Sequence, residues 1–429
     1  MRRFLQDCSG NFGITTALLL VPVIGVAGLA IDIHTAVIAK GDLQAAADSA
    51  VLAAVGEYSA GTRQAMQIGD NGRLTDAIED ARKVFNAHAG SRTDYKLVAS
   101  DVEVVKSGRD LQAVFSYTAE VPTTLARILG QESVTISGTA TAVFQTATFR
   151  DFYLLLDNTP SMGVAATPAE VTRMMNATPD SCAFACHIVK DGVDDKNSYY
   201  HIAKRNGIVT RIDVVAQATS ALMTTAMTER KSDNQFRMAV YTFGQKAEDM
   251  KLLEVSPLTK DLRSVQNNAS LIDLMSTPSH GFARDALTNF TQAIENLGEK
   301  MGTPGDGSTA STPEKIVFFV SDGVANYMNR TSCMRPTNNN RCMEPINLNS
   351  CKALKDKGYR VAVLYTTYLP LPTNNFYRNW IAAFQPSLPT VMSDCASPGL
   401  YFEVSPSEGI EEAMSALFMK IINTPRLAS

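Results

Sequence analysis

The chain opens with an almost uncharged apolar stretch, Phe12 to Ala30, and later breaks into short apolar runs separated by amphipathic segments. At about 1.5 Å per residue a helix over the first stretch crosses a hydrocarbon core of about 30 Å. Arg2 and Arg3 precede it and Asp32 bounds it, which predicts an N-terminus in the cytoplasm and the bulk of the chain outside. Beyond it Leu43, Ala46, Ala47, Ala50, Val51, Ala54 and Val55 follow the i, i+3, i+4, i+7 rule, so the helix is expected to continue past the membrane. A cleaved leader is the competing reading, because Gly28, Leu29, Ala30 has the small-x-small form of a processing site. The length of the apolar run and the unbroken periodicity favour an intact span.

Leu74, Ile78, Ala81 and Phe85 extend helical spacing across Gly61 to Gly90. Lys96 to Lys106 and Leu111 to Val121 are joined through Ser107, Gly108, Arg109 and Asp110, which predicts a hairpin. Thr123 to Leu129 reads as a short helix and Ser133 to Phe144 as a third strand. Residues 1–58 thus form the N-terminal and membrane segment, and 59–148 a small α+β spacer module without a catalytic constellation.

Gln145 to Arg150 is the expected joint. After it, Phe152 to Leu156 is a solid apolar run ending in the polar loop Asp157, Asn158, Thr159, Pro160, Ser161, the form of a buried parallel strand. Helix is expected over Arg211–Arg230, strand over Phe236–Phe243 and an edge strand through Lys251–Val255. Thr288 is expected to open a helix with Phe290, Ile294 and Leu297 on one face. Strand then follows from Lys315 into Asp322-Gly323, helix over Asn347–Lys357, strands at Tyr359–Tyr365 and Tyr401–Val404, and helix over Glu408–Ile422. This alternation predicts a parallel, doubly wound α/β sheet over 149–429, interrupted by insertions at 165–206 and 324–345.

The 39 basic and 43 acidic residues leave a formal charge of −4, so no electrostatic footprint for nucleic acid exists. Of seven cysteines, Cys8 precedes the span and six follow it, which predicts disulfides. Cys182–Cys186 and a pairing among Cys333, Cys342 and Cys351 are favoured. Zinc held by Cys182, Cys186, His187 and His201 is the rival, set behind because the histidine spacing matches no common zinc module. Gly302 to Thr309 mimics a phosphate loop but lacks its lysine and precedes a strand, so it is expected to be a flexible loop. No Gly-x-Ser-x-Gly, His-Glu-x-x-His or dinucleotide fingerprint is present, and an enzyme or a small-molecule substrate is not expected.

Asp157, Thr159 and Ser161 at alternate positions, with Thr288 and Asp322, all fall at element ends and offer hard oxygen donors of the kind Mg²⁺ prefers. The set resembles the metal-ion-dependent adhesion site of the von Willebrand factor type A fold, with pattern Asp-x-Ser-x-Ser, a distant Thr and a distant Asp. Thr159 stands where that family carries serine, and Ala286-Leu287 precede Thr288 where it carries glycine. The resemblance implies an A-type domain over 149–429 and Mg²⁺ or Mn²⁺ held by Asp157, Thr159, Ser161, Thr288 and Asp322. It also implies a protein partner whose acidic side chain completes the coordination.

Ser9, Gly10, Asn11, then Ala30, Ile31, Asp32, and then Leu43 to Ala50 resemble the N-terminal segment of TadE/TadG-like proteins of Flp (Tad) pilus assembly. That resemblance implies a single-pass protein of the bacterial inner membrane, serving pilus assembly or anchoring with pilus components as partners. Thr15 stands five residues after Gly10, where a prepilin carries glutamate, so prepilin-type cleavage is not expected. The alternative is a structural envelope protein whose A-type domain lacks a working metal site.

Overall fold

The computed structural model describes residues 11–68, 70–90, 92–249, 251–282, 287–328, 333, 341–368, 370–372, 375–405 and 409–423. Arg2, Arg3, Cys8, Ser9, Gly10, Ala286 and Glu408 lie outside the described residues. The chain divides into two compact units after Ala147.

In the first unit, α1 (Asn11–Val55) runs as one helix through Pro22. Its first half is bare, with Leu18, Val21 and Val26 each at least 70% exposed. This helix is long and apolar enough to cross a membrane. Its second half is buried through Leu43, Ala47, Ala50 and Ala54, and the small alanines let it lie close against a sheet. That packing also takes in α2 (Ala60–Ile68) and α3 (Thr75–Ala89).

The sheet is antiparallel in the order β1 (Gly72–Arg73), β2 (Lys96–Ser107), β3 (Asp110–Pro122), β4 (Ser133–Gln145). The helix expected over Gly61–Gly90 is therefore broken. Gly72 and Arg73 pair with Lys106 and Val105, so the sheet, not a helix, satisfies their backbone groups. The segment Thr123–Leu129 contracts to one 3₁₀ turn, Ala126–Leu129. The amides of Thr124, Leu125 and Ala126 donate to the Asp32 carboxylate at 2.8, 3.0 and 2.7 Å. These bonds hold that carboxyl below the ordinary aspartate range.

The second unit begins with β5 (Arg150–Leu156). The insertion after it is folded into α4 (Pro168–Ala177), β6 (His187–Lys190), β7 (Val193–Asp194) and α5 (Tyr199–Arg205). Next come α6 (Arg211–Glu229), β8 (Phe236–Thr242), β9 (Leu253–Thr259), α7 (Leu262–Asn268), β10 (Ser276–Thr277) and α8 (Phe290–Met301). The chain continues through β11 (Glu314–Ser321), the antiparallel pair β12 (Val324–Met328) and β13 (Arg341–Pro345), and α9 (Leu348–Asp356). It closes with β14 (Arg360–Thr366), α10 (Leu388–Cys395), β15 (Tyr401–Val404) and α11 (Ile410–Asn423).

The main sheet runs β15-β14-β11-β5-β8-β9. Counted in chain order this is 3-2-1-4-5-6, the order of doubly wound sheets. All neighbours are parallel except β9, which pairs antiparallel with β8 at the edge. Phe152, Leu154 and Leu156 pack with α6, α7 and α11, whereas Tyr153 and Leu155 pack with α8, α9 and α10. A strand buried on both faces has no polar side to show, which is why its sequence is a solid apolar run.

Two further expectations need correction. The loop Gly302–Thr309 is not loose: Gly305 N–H donates to Pro313 O at 2.9 Å, Gly307 N–H to Thr312 O at 2.8 Å, and Phe149 N–H to Gly307 O at 2.9 Å. Cys182 and Cys186 are free thiols, Cys182 turning instead to the Phe184 carbonyl at 3.8 Å. Cys333 is bonded to Cys342, a pairing within the expected trio, whereas Cys351 is bonded to Cys395, a partner outside it.

Candidate functional site

β5 and β11 lie side by side where the strand order reverses, and each ends in an acid. Asp157 and Asp322 are both fully buried. Thr159 donates to Asp157 Oδ1 twice, from its amide at 3.0 Å and its hydroxyl at 2.7 Å. The Ser321 hydroxyl donates to Oδ2 at 2.6 Å. Around Asp322, the Val324 amide donates to Oδ1 at 3.1 Å, the Ser161 hydroxyl also donates, and Arg211 Nη1 lies 3.5 Å from Oδ2.

A 3₁₀ turn over Pro160–Gly163 folds Ser161 back so that its Oγ is 3.4 Å from Thr159 Oγ1. Asn158 pins the loop beneath. Its amide donates to Gly244 O at 2.7 Å and Asp273 O at 3.0 Å, and its Oδ1 accepts from Phe243 N–H at 3.1 Å.

Thr288 does not open α8. Asn289 takes that role by accepting from Gln292 N–H at 3.1 Å, as expected of a stronger N-cap residue. Thr288 instead forms a backbone bridge with Asn326 of β12, N–H to O at 2.7 Å and back at 3.0 Å. It is buried and lines the same cavity as Ser161, about 320 Å³ in volume, with Pro160, Val324 and Asn326. The structure therefore joins Asp157, Thr159, Ser161 and Asp322 in one hydrogen-bonded cluster and sets Thr288 in the wall beside it.

Burial is the main reason that the Asp157 and Asp322 carboxyls are raised above the ordinary aspartate range. The charge of Asp322 raises Asp157 further, and Arg211 opposes the rise at Asp322. Among the described residues Arg211 is the cation paired with these carboxyls, so with both ionised the cluster is one positive charge short. The hydroxyls of Thr159 and Ser161 direct their protons to Asp157 and Asp322, so their lone pairs are free for a cation. Their 3.4 Å separation is close to the roughly 3 Å cis edge of an octahedron with bonds of about 2.1 Å. The donor set fits a small hard divalent ion such as Mg²⁺ or Mn²⁺.

Sequence reading missed three members of this network. Ser321 was open to notice, as a hydroxyl in the last position of an apolar strand. Asn158 and Arg211 were not, because their partners lie 85 and 111 residues away.

Residues 10–60 match a family model described as putative Flp pilus-assembly TadE/G-like. No curated protein matches the chain. Among solved structures, the vWF domain of the type V pili tip protein Mfa5 from Porphyromonas gingivalis is similar at 10% identity and a TM-score of 0.38, over 66% of this chain and 99% of that one. The pilus adhesin SpaC from Lactobacillus rhamnosus GG is similar at 10% identity and a TM-score of 0.37, over 77% of this chain and 34% of that one. A mutant of the PilB minor pilin from Streptococcus sanguinis is similar at 12% identity and a TM-score of 0.35, over 78% and 80%.

Proposed function

We propose that this is a membrane-anchored, pilus-related binding protein of the bacterial inner membrane, its N-terminus cytoplasmic and its second unit outside. That unit, on this reading a von Willebrand factor A-type domain, captures an acidic group of a protein partner through a divalent cation at the ends of β5 and β11. One observation carries the reading: Asp157 and Asp322, from different parts of the chain, are both fully buried at adjacent strand ends, each orienting a hydroxyl. The bare apolar half of α1 supports the anchor, and the similarity over residues 10–60 supports the pilus context.

Thr159, Ser161 and Thr288 would hold the ion through hydroxyl oxygens, with Asp157 and Asp322 holding it directly or through water. When bound, the ion supplies an electrophilic position that a carboxylate can complete. Asp157 and Asp322 accept the hydroxyl hydrogen bonds, Asn158 keeps the loop in register, and Leu287, Val324 and Tyr368 give the cavity apolar walls that exclude water.

Calorimetric titration of the detergent-solubilised full chain with Mg²⁺ and Mn²⁺ tests this. One saturable site, lost in Asp157→Ala and Ser161→Ala variants that melt cooperatively, is expected. Partner capture that persists unchanged in chelator would refute it. The second reading, a structural envelope protein without a working metal, is favoured by Arg211, whose buried guanidinium already gives Asp322 a counter-charge. Absence of any Mg²⁺ or Mn²⁺ heat would establish that reading instead.

A further inference from the structure

The insertion between β5 and α6 holds a second cluster that the oxygen site does not use. β6 brings His187, β7 brings Asp194 and α5 brings His201, and their ligand atoms all lie within 4.8 Å of one another. Asp191 and Gly192 both have positive φ, +53° and +78°, the form of a two-residue type I′ turn. That turn lays β7 antiparallel on β6, with Asp194 opposite Val189. The Asp195 amide then donates to Ile188 O at 2.9 Å and the Ser198 amide to Asp195 O at 2.9 Å, which leads the chain directly into α5.

His187 Nδ1 lies 3.3 Å from the Leu274 carbonyl oxygen. A carbonyl only accepts, so Nδ1 carries a proton, and in the neutral ring Nε2 keeps a lone pair. That Nε2 faces Asp194 Oδ1 at 3.4 Å. Two acceptors face to face require a cation between them, either a second proton on the ring or a metal ion. His201 Nε2 reaches the same carboxylate, at 2.8 and 2.9 Å from its two oxygens.

The ring plane of His187 is set by stacking on Tyr200, centroids 4.1 Å apart, and Tyr200 is anchored by donating to Asp273 at 2.7 Å. A ring nitrogen fixed by a backbone carbonyl, with its other nitrogen free, is the outer-shell arrangement of metal-binding histidines. Lys196 Nζ, 2.6 Å from Asp194 Oδ2, is the competing cation. Its side chain is 72% exposed and can withdraw into water.

We propose that His187 Nε2, His201 Nε2 and the Asp194 carboxylate form a Zn²⁺ site, water taking the fourth position. The proposal stands independently of the oxygen site. Its consequence is mechanical: β6 also pairs with β10, His187 opposite Ser276 and Ile188 opposite Thr277. Thr277, Phe184 and Cys186 line the cavity beside Ser161, so the ion fixes one wall of that cavity. The cysteines of the sequence-level zinc set are not among the ligands. The thiols of Cys182 and Cys186 lie outside the group of ligand atoms that converge within 4.8 Å.

The test is Co²⁺ titration of the metal-stripped full chain in detergent, followed by displacement with Zn²⁺. One equivalent with the intense visible bands of four-coordinate cobalt is expected, weakened on the order of 100-fold or more in His201→Ala. Lys196→Ala, which leaves every ligand in place, should bind several-fold tighter. Asp157→Ala and the double variant Cys182→Ser/Cys186→Ser should bind as the wild type does, without a thiolate charge-transfer band. No four-coordinate Co²⁺ spectrum in the wild type, equal binding by His201→Ala, or loss of binding in the cysteine variant would each overturn the proposal.

Discussion

Replacing Arg211 by methionine removes a guanidinium that touches the acidic cluster while keeping an unbranched apolar stem of similar length. Its side chain is 1% exposed and Asp322 is fully buried, so solvent does not screen the pair. At 3.5 Å and an effective dielectric near 20, the attraction is about 5 kcal/mol. Breaking a buried pair by removing one partner costs about 3–5 kcal/mol. Arg211 Nε is buried without a partner, and that cost disappears with the side chain, so the lower end applies. The ring of Tyr368, 5.5 Å from the guanidinium carbon, is left to pack against the methionine.

For a unit of about 280 residues, with unfolding entropy near 2.1 cal/mol/K per residue, a loss of about 3 kcal/mol lowers the melting midpoint by about 5 °C. Thermal scans of the detergent-solubilised full chain in chelator measure this. Added Mg²⁺ should recover most of the loss, and the variant should gain more from it than the wild type, because the ion then supplies the positive charge that Arg211 gave Asp322. A variant as stable as the wild type in chelator would refute the charge argument. Equal Mg²⁺ gains in both chains would show that the ion does not share Asp322 with Arg211.

Because the Asp157 and Asp322 carboxyls lie above their unfolded value near 4, the metal-free fold binds protons more tightly than the unfolded chain. The contribution of these two carboxyls to the stability of the metal-free fold is therefore fully present below about pH 4 and is lost as pH rises above it, and the Mg²⁺-induced rise in melting midpoint should grow from acid to neutral pH; a gain independent of pH would contradict it. Opening Cys351–Cys395, which closes a separation of 44 residues, should cost about 4 kcal/mol on the chain-entropy model, read as a lower midpoint for Cys351→Ser/Cys395→Ser. Alkylation of the unfolded, unreduced chain should label Cys182 and Cys186 but neither of those two. Asp32→Asn, which exchanges one acceptor oxygen for a donor, should speed amide exchange at Thr124, Leu125 and Ala126, and unchanged protection there would refute the cap.

Strand and helix identity was legible wherever one residue's burial decided its type. Leu43, Ala47 and Ala50 announced the packed half of α1, and Phe152 to Leu156 announced a strand covered on both faces. The misreadings arose where a distant partner outweighed local preference. The helix across Gly61–Gly90 lost Gly72 and Arg73 to β2, and Thr288 was drawn into a bridge with Asn326 while Asn289 capped the helix.

By itself the sequence determined which segments are apolar on one side, on both sides or all round, and that oxygen-bearing residues fall where those segments end. Burial acts on each residue separately, so the pattern along the chain records it. Only the tertiary structure decided that Asp157 and Asp322 end neighbouring strands, that Arg211 lies between that pair and Tyr368, and that His187, Asp194 and His201 meet. Those meetings depend on strand order and on which way a turn closes, and a distance between residues far apart in the chain leaves no mark on the pattern of either segment.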